Sequence, residues 1–463
     1  MAPPEALSGD GAFTVRRHQP ELVSPAKPTP RELKPLSDID DQDGLRFQIP
    51  FMHFYSHKAS MKGKDPAQVI KKALSEALVF YYPFAGRLRE GDGRKLMVDC
   101  NGEGVMFTEA DADISLHQFG DTLQPPFPYF DELLYNVPGS QGVLNCPLLI
   151  IQVTRLKCGG FILAYRLNHT MSDGPGIVQF LNAVVEIAGG AREPSVAPVW
   201  RRELLSARDP PQITCTHREY EQIPNNYDPI WTQESIAHHS FFFGPKELEA
   251  IRQMFSSYNN GQYTTRFEAL TAFLWRCRTK ALQLEPSQEV RFMCISNVRG
   301  KSNPPVLPLG YYGNGFVYPA AVTTAGKLCE NPFGYALELV KKAKAEATVE
   351  YMQSVADFMV TKGRPCFVMP GTWIVSDTSR LGFRGVDFGW GKAVYGGPAT
   401  AGAGPFPGAS YYAACENAKG EEGIVVPFYL PLSAMKRFIH ELDRVLGQLE
   451  QLTSFSDSLA SLS

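Results

Sequence analysis

His169 and Asp173 stand four positions apart in His169-Thr170-Met171-Ser172-Asp173-Gly174, an imidazole and a carboxylate where an apolar strand gives way to a helix. Pro147–Leu156 and Gly160–Leu167 are apolar runs split by Lys157-Cys158-Gly159, which predicts a strand, a turn and a second strand ending at His169. Beyond Asp173, Gly174-Pro175 marks a helix start. Ile177, Val178, Leu181, Val184, Val185 and Ile187 then form a buried helical stripe that stops at Gly189-Gly190. A side chain on such a loop is held by rigid neighbours and can reach a cleft. Imidazole, with an ordinary pKa of about 6.5, suits the removal of a proton from an alcohol as its oxygen attacks a carbonyl. The same ring also serves elsewhere as a buried histidine bonded to backbone. A His–Asp pair is also half of a metal site in a hydrolase, but no third His, Asp or Glu lies at a helpful local spacing, so no metal is expected.

A second segment, Asp387-Phe388-Gly389-Trp390-Gly391, follows the strand-like run Trp373 to Ser379 and precedes Lys392 to Pro398. Alone it reads as a glycine-kinked turn around a packed tryptophan. In this order, about 220 residues apart, the two segments resemble the signature pair of the plant BAHD acyltransferases. Leu36 to Asp41, Tyr81 to Leu88, Leu309 to Asn314 and Tyr335 to Lys342 also resemble family segments, in family order and across nearly the whole chain. Within the family the chain is most similar to the alcohol acyltransferases that make volatile esters.

The resemblance implies acyl transfer from a coenzyme A thioester by direct attack in a ternary complex, with no covalent Ser or Cys nucleophile and no permanently bound cofactor. His169 is then the general base. Asp173 belongs to the same catalytic motif, but the resemblance implies a structural ion pair with Arg299, in place of the triad in which an acid orients the base. Asp387, Gly389, Trp390 and Gly391 are expected to scaffold the coenzyme A channel, with Trp390 packed rather than in contact with ligand. Many relatives that transfer hydroxycinnamoyl groups carry Thr-x-Trp just upstream; here Ser376-Asp377-Thr378 stands there, leaving Ser376 or Thr378 as weaker oxyanion donors and more room for an acceptor. Thr265 opens a helix whose N–H groups can meet a phosphate or the pantetheine arm, or simply be capped. Phe51, Phe54, Tyr55 and Phe84 fall where the resemblance places the acceptor, with no Lys or Arg among them. That favours an uncharged alcohol. The leading expectation is benzoyl-CoA and benzyl alcohol giving benzyl benzoate and free coenzyme A; the runner-up is acetyl or short-chain acyl transfer to aliphatic alcohols. A non-catalytic small-molecule-binding relative is the reading from another class, and the intact His169 argues against it.

Composition narrows the field. With 463 residues and 44% hydrophobic content the chain fits two domains better than one core. A formal net charge of −3 from 45 basic and 48 acidic residues, interspersed, leaves no patch to track a phosphate backbone, so nucleic acid is excluded as a partner. No run is long and apolar enough to span a bilayer, and Met1 to Phe13 lacks the pattern of a secretory signal. Nine scattered cysteines without a Cys-x-x-Cys pair read as reduced thiols. Ser461-Leu462-Ser463 differs from the standard peroxisomal address, so the cytoplasm is expected, with the peroxisome as the alternative; the expected state is a monomer.

Strands and helices mix in both halves. This predicts an α/β fold of mixed sheets with flanking helices, and the resemblance implies two similar domains meeting at a solvent channel that holds the active site. The expected boundaries are 1–195 for the N-terminal domain with the His-x-x-x-Asp motif, 196–230 for a Pro-rich crossover, and 231–463 for the C-terminal domain with the Asp-Phe-Gly-Trp-Gly motif. Residues 1–14 are expected to be mobile. Asp65-Pro66-Ala67-Gln68 and Thr265-Arg266-Phe267-Glu268 predict capped helix starts. Positions 396 to 408 predict an irregular loop, and Met435 to Leu446 the buried face of a last helix before a frayed Ser-rich tail after Gln451.

Overall fold

The computed structural model describes residues 13–119, 123–221, 230–231, 235–255, 258, 263–404, 406–417 and 419–460, without the side chains of 450–460. The expectations for residues 1–12, for 222–229 of the crossover and for Ser461-Leu462-Ser463 lie outside them. In the N-terminal half, strands β1 (Val15–Arg17), β2 (Glu21–Val23), β3 (Gln48–Tyr55), β4 (Val105–Ala112), β5 (Leu149–Leu156) and β6 (Phe161–Asn168) build a mixed sheet. Its main path runs β1-β4-β5-β6-β3, with β2 also on β4; β4 and β5 are parallel, whereas β5–β6 and β6–β3 are antiparallel. Helices α1 (Pro66–Ala77) and α2 (Gly174–Ala188) cover one face. Asp65 caps α1 by accepting from the Ala67 N–H at 3.0 Å; Gln68 turns instead to Glu109, so the reciprocal box does not form. Along α2, Ile177, Val178, Phe180, Leu181, Val184 and Ile187 are buried, roughly 1.5–3 kcal/mol for each side chain removed from water. That burial fixes α2, and the loop before it, on the sheet.

The C-terminal half repeats the plan. Strands β7 (Ile236–Phe243), β8 (Glu289–Cys294), β9 (Ala320–Thr324), β10 (Thr372–Asp377), β12 (Ala409–Glu416) and β13 (Glu422–Pro431) pair in the order β7-β13-β12-β10-β8-β9, and β11 (Tyr395–Pro398) belongs elsewhere. Helix α3 (Arg266–Leu282) carries the full capping box, Thr265 and Glu268 satisfying each other's backbone N–H. Phe273, Leu274 and Trp275 of α3 share one buried core with Trp373 and Phe428 of the sheet. The nine cysteines are all free.

Four expectations need correction. Strand β11 is not part of a loop: Tyr395 to Pro398 pair antiparallel with Phe54 to Phe51 and complete the N-terminal sheet. With Phe383, Val386, Phe388, Trp390 and Ala393 in the N-terminal core, the Asp-Phe-Gly-Trp-Gly segment packs with the half that carries His169, although its sequence lies within 231–463. The free edge of β3 supplies the reason, since its unpaired backbone groups need partners. The crossover is partly packed: Arg202 is 1% exposed because Asp40 neutralises it and the rings of Trp200, Tyr311 and Tyr312 surround it, while His217, Glu219 and Tyr220 are buried as well. Finally, the last helix, α4 (Leu432–Ala460), continues past Gln451, because Ser, Asp, Leu and Ala without Pro or Gly give no stop signal there.

Candidate active site

The backbone N–H of His169 donates to the carbonyl of Phe47 at 2.9 Å, tying the end of β6 to the start of β3. Asn168 folds the turn by accepting from the N–H and hydroxyl of Thr170. Ser172 donates to the carbonyl of Tyr312 at 2.7 Å, and a Cβ at Gly176 would run into that same carbonyl. Glycine at 176 is therefore what lets the loop seat against the second half of the chain.

Asp173 caps α2, its Oδ1 accepting from the Gly176 N–H at 3.0 Å. Arg299 donates to both its oxygens, at 2.7 Å and 3.1 Å, and the Gly315 N–H donates to Oδ2 at 2.9 Å. Both oxygens are thus engaged. The carboxylate faces Arg299 and makes no hydrogen bond to the His169 ring among those described, so its influence on that ring is through-space charge. Burial, the largest influence, pulls the His169 pKa below the ordinary imidazole value; its own carbonyl, the Asp173 charge and the Asn314 amide oppose it. The resting ring is neutral at pH 7, the form a proton acceptor needs.

Beneath the loop lies a polar network absent from the residues singled out in the sequence. Asp40 accepts from Arg202 at 2.8 Å and from the Asn314 backbone and amide at 2.9 Å and 2.8 Å. Asn314 also donates to the His169 carbonyl at 2.8 Å, and Arg202 to the Met171 carbonyl at 2.8 Å. Three distant segments therefore hold the loop from below. Asp40 and Asn314 fall in the family-like segments Leu36–Asp41 and Leu309–Asn314, which was the only signal for them; Arg202 had none.

His169 borders a cavity between the halves. Ile49, Phe51, Leu167, Phe316, Leu381, Phe383 and Tyr411 form its apolar wall, and Ser376, Asp377 and Thr378 lie along the opposing strand end. Phe51 stacks between Tyr165 and Phe383, at 5.1 Å and 5.2 Å between centroids. Behind this wall His53 is fully buried, 3.3 Å from the Tyr165 hydroxyl, its pKa pulled down to about 3 by burial.

Of the four aromatic residues expected around the acceptor, Phe51 alone lines the cavity. Phe54 points to the other face of β3, against Phe119 and Phe127, because successive strand residues alternate sides. Tyr55 shares the Phe51 face but lies farther along, stacked on Phe161 with its hydroxyl bonded to the Val386 carbonyl. Phe84 packs on Phe180 and Tyr312. The Thr378 hydroxyl donates to the Tyr412 carbonyl at 2.9 Å and is already committed, whereas Ser376 lines the cavity. Thr265 is occupied as a cap and does not border the cavity.

Asp387 accepts from the N–H groups of Gly389 and Gly391, at 2.8 Å and 2.6 Å, closing a tight turn. Both glycines have left-handed φ, +105° and +95°. Trp390 is 6% exposed and packs edge-on against Phe161. This turn delivers β11 to the edge of β3 and so anchors the cavity wall from behind. Among the described residues no group of three His, Cys, Asp or Glu could hold a metal ion, and no helix is long and apolar enough to cross a membrane.

The model of the transferase family matches residues 13–445. The chain is 63% identical to benzyl alcohol O-benzoyltransferase of Petunia hybrida over 96% of either sequence, and 63% identical to the Nicotiana tabacum enzyme of that name over 95% of either. It is 53% identical to alcohol acyl transferase 1 allele GSa of Malus domestica over 93% of this chain and 94% of that one. Among solved structures the fold is similar to vinorine synthase (TM-score 0.69, 23% identity, 92% and 96% of the two chains). It is also similar to F. sporotrichioides TRI101 complexed with coenzyme A and T-2 (TM-score 0.65, 17% identity, 88% and 97%).

Proposed function

The chain belongs to the BAHD acyltransferases of the transferase family, and from that premise we propose that it uses His169 to move a benzoyl group from benzoyl-CoA to benzyl alcohol. It is an acyl-CoA-dependent alcohol O-acyltransferase. The single observation that carries the choice of base is a neutral, half-buried imidazole on the wall of an apolar cavity, on a loop braced by the Asp173–Arg299 pair and by Asn314.

In this reading the alcohol enters beside the aromatic wall, and a nitrogen of the neutral ring takes its proton as the oxygen attacks the thioester carbonyl. The thiolate of coenzyme A then leaves and is protonated by the imidazolium, which restores the base. The oxyanion formed in between needs a donor, and the Ser376 hydroxyl is the candidate in the cavity, since the Thr378 hydroxyl is spent on backbone. The carboxylate of Asp173 stays paired with Arg299 throughout. Arg299 and the capped start of α2 hold it.

The flat wall of Phe51 and Phe383 suits a ring, and 63% identity to two benzyl alcohol O-benzoyltransferases supports the same choice. A second reading, short-chain acyl transfer to aliphatic alcohols, draws on the aliphatic part of the wall and on the 53% identical Malus relative. A panel of acyl-CoA donors against benzyl alcohol, hexanol and shikimate, with products weighed by mass spectrometry, separates them. Benzyl alcohol should outcompete shikimate by at least about a hundredfold, and benzoyl-CoA should beat acetyl-CoA by less. A preference for shikimate overturns the substrate assignment; one for acetyl-CoA selects the second reading.

A further inference from the structure

Asn314 is buried, and both hydrogens of its amide nitrogen are engaged, one by Asp40 and one by the His169 carbonyl, each at 2.8 Å. Turning the amide over would set its oxygen against those two acceptors, so its orientation is fixed. Oδ1 is thereby left buried with no hydrogen-bond partner among the described residues, and Nδ1 of the His169 ring is in the same state. Against burial, which lowers the His169 pKa, the ring's own carbonyl, the Asp173 charge and the Asn314 side chain favour the protonated ring. Asp173 does so by charge alone, whereas Asn314 acts as a hydrogen-bonding group, and the carbonyl already accepts the Asn314 amide. Phe47 and Phe316 flank the ring, at 5.4 Å and 5.9 Å between centroids, and bring no acceptor. Nε2 has no protein partner among the described residues and is not buried in this way, which leaves it as the nitrogen open to the cavity that the ring borders.

Resting on the reading of His169 as the base, we propose that Asn314 is the positioning residue that fixes its tautomer, taking the hydrogen of Nδ1 on its amide oxygen so that the lone pair of the neutral ring stands on Nε2, toward the alcohol. Which nitrogen carries the hydrogen is set by what the other can bond, and a ring with its hydrogen on Nε2 would turn a donor to the alcohol. In the step itself the alcohol O–H bond breaks as the ester C–O bond forms, and the proton moves to Nε2. The same nitrogen returns it to the sulfur once the thioester C–S bond has broken. Between those events both ring nitrogens carry hydrogen, and the amide oxygen gives the buried Nδ1–H an acceptor, which stabilises the imidazolium. A neutral amide thus does for this ring what a carboxylate does in a triad, while Asp173 stays with Arg299.

Nitrogen NMR of protein labelled at its histidine rings reads the tautomer, with the His169 signals assigned by their loss in His169→Ala. In the parent protein at pH 8 Nδ1 should carry the hydrogen and Nε2 the lone pair. In Asn314→Ala that preference should fall to a mixture of the two tautomers, and kcat should drop by about tenfold or more with KM for benzyl alcohol within about threefold. The acid limb of its kcat/KM profile should move to lower pH, because an acceptor that favours the protonated ring is gone. Asp173 and Asp40, the charges that act on the ring, are the same in both proteins. Ser172→Ala, which cuts another tether of the same loop, should leave the tautomer as it is. A parent ring with its hydrogen on Nε2 overturns the proposal whether or not the variants fold. So does a folded Asn314→Ala protein with an unchanged tautomer, or a Ser172→Ala protein that loses the preference equally. If the tautomers come out as expected while His169→Ala still makes ester, the base reading fails and the hold of Asn314 on the ring stands.

Discussion

Asp173→Asn separates the structural account of this loop from a catalytic triad. The carboxylate is 5% exposed and accepts four N–H groups, two from Arg299 and one each from Gly176 and Gly315. An asparagine of the same shape has one acceptor fewer. Whichever way its amide turns, an NH2 faces an Arg299 N–H and a backbone N–H, and the guanidinium loses its counter-charge. Breaking a buried pair costs about 3–5 kcal/mol, and Arg299, with 19% of its side chain exposed, brings the expectation to about 3 kcal/mol. For domains of this size that is a fall in thermal midpoint of roughly 6–12 °C. Arg299→Met should do the same, and the double variant should lose much less than the sum, because each single change already breaks the pair. Midpoints by calorimetry and initial rates at 15 °C, where all variants remain folded, read both quantities. An unchanged midpoint beside a rate down a thousandfold would refute the reasoning and restore Asp173 as the acid that orients His169.

Two further outcomes follow from the same geometry. Since burial lowers the His169 pKa and only the neutral ring accepts a proton, kcat/KM should be flat around pH 7 and fall on the acid side with a midpoint below 6.5; a midpoint above 7 would contradict the environment described. Gly389→Ala should cost at least 1–2 kcal/mol and activity with it, since φ is +105° and the new Cβ would stand 2.8 Å from the Met61 methyl. Gly391→Ala, strained in φ but with open space around it, should cost less in the same denaturant titration.

The elements that hold His169 were legible because each has a local cause: apolar runs with a glycine turn for β5 and β6, and an Asp cap with Gly-Pro for α2. What was not legible depends on pairings between distant segments. Nothing local in Tyr395 to Pro398, three of its four residues glycine or proline, announces a strand, and it forms because the edge of β3 offers partners about 340 residues away in sequence. Arg202 lies in the Pro-rich crossover, where no local pattern announces burial; Asp40 and the rings of Trp200, Tyr311 and Tyr312 account for it. The aromatic residues of β3 and Phe84 were grouped by nearness in family-like segments, yet strand alternation and the depth of the core leave Phe51 alone at the cavity.

The central claim, that His169 is the base, is tested most directly by His169→Ala assayed with benzoyl-CoA and benzyl alcohol, with benzoyl-CoA binding measured on the same protein by calorimetry. Ester formation should fall by at least about a thousandfold while the dissociation constant for benzoyl-CoA stays within about threefold, because the change removes a proton acceptor and little of the wall. Ester formed within tenfold of the parent rate by a folded, benzoyl-CoA-binding His169→Ala protein would contradict it.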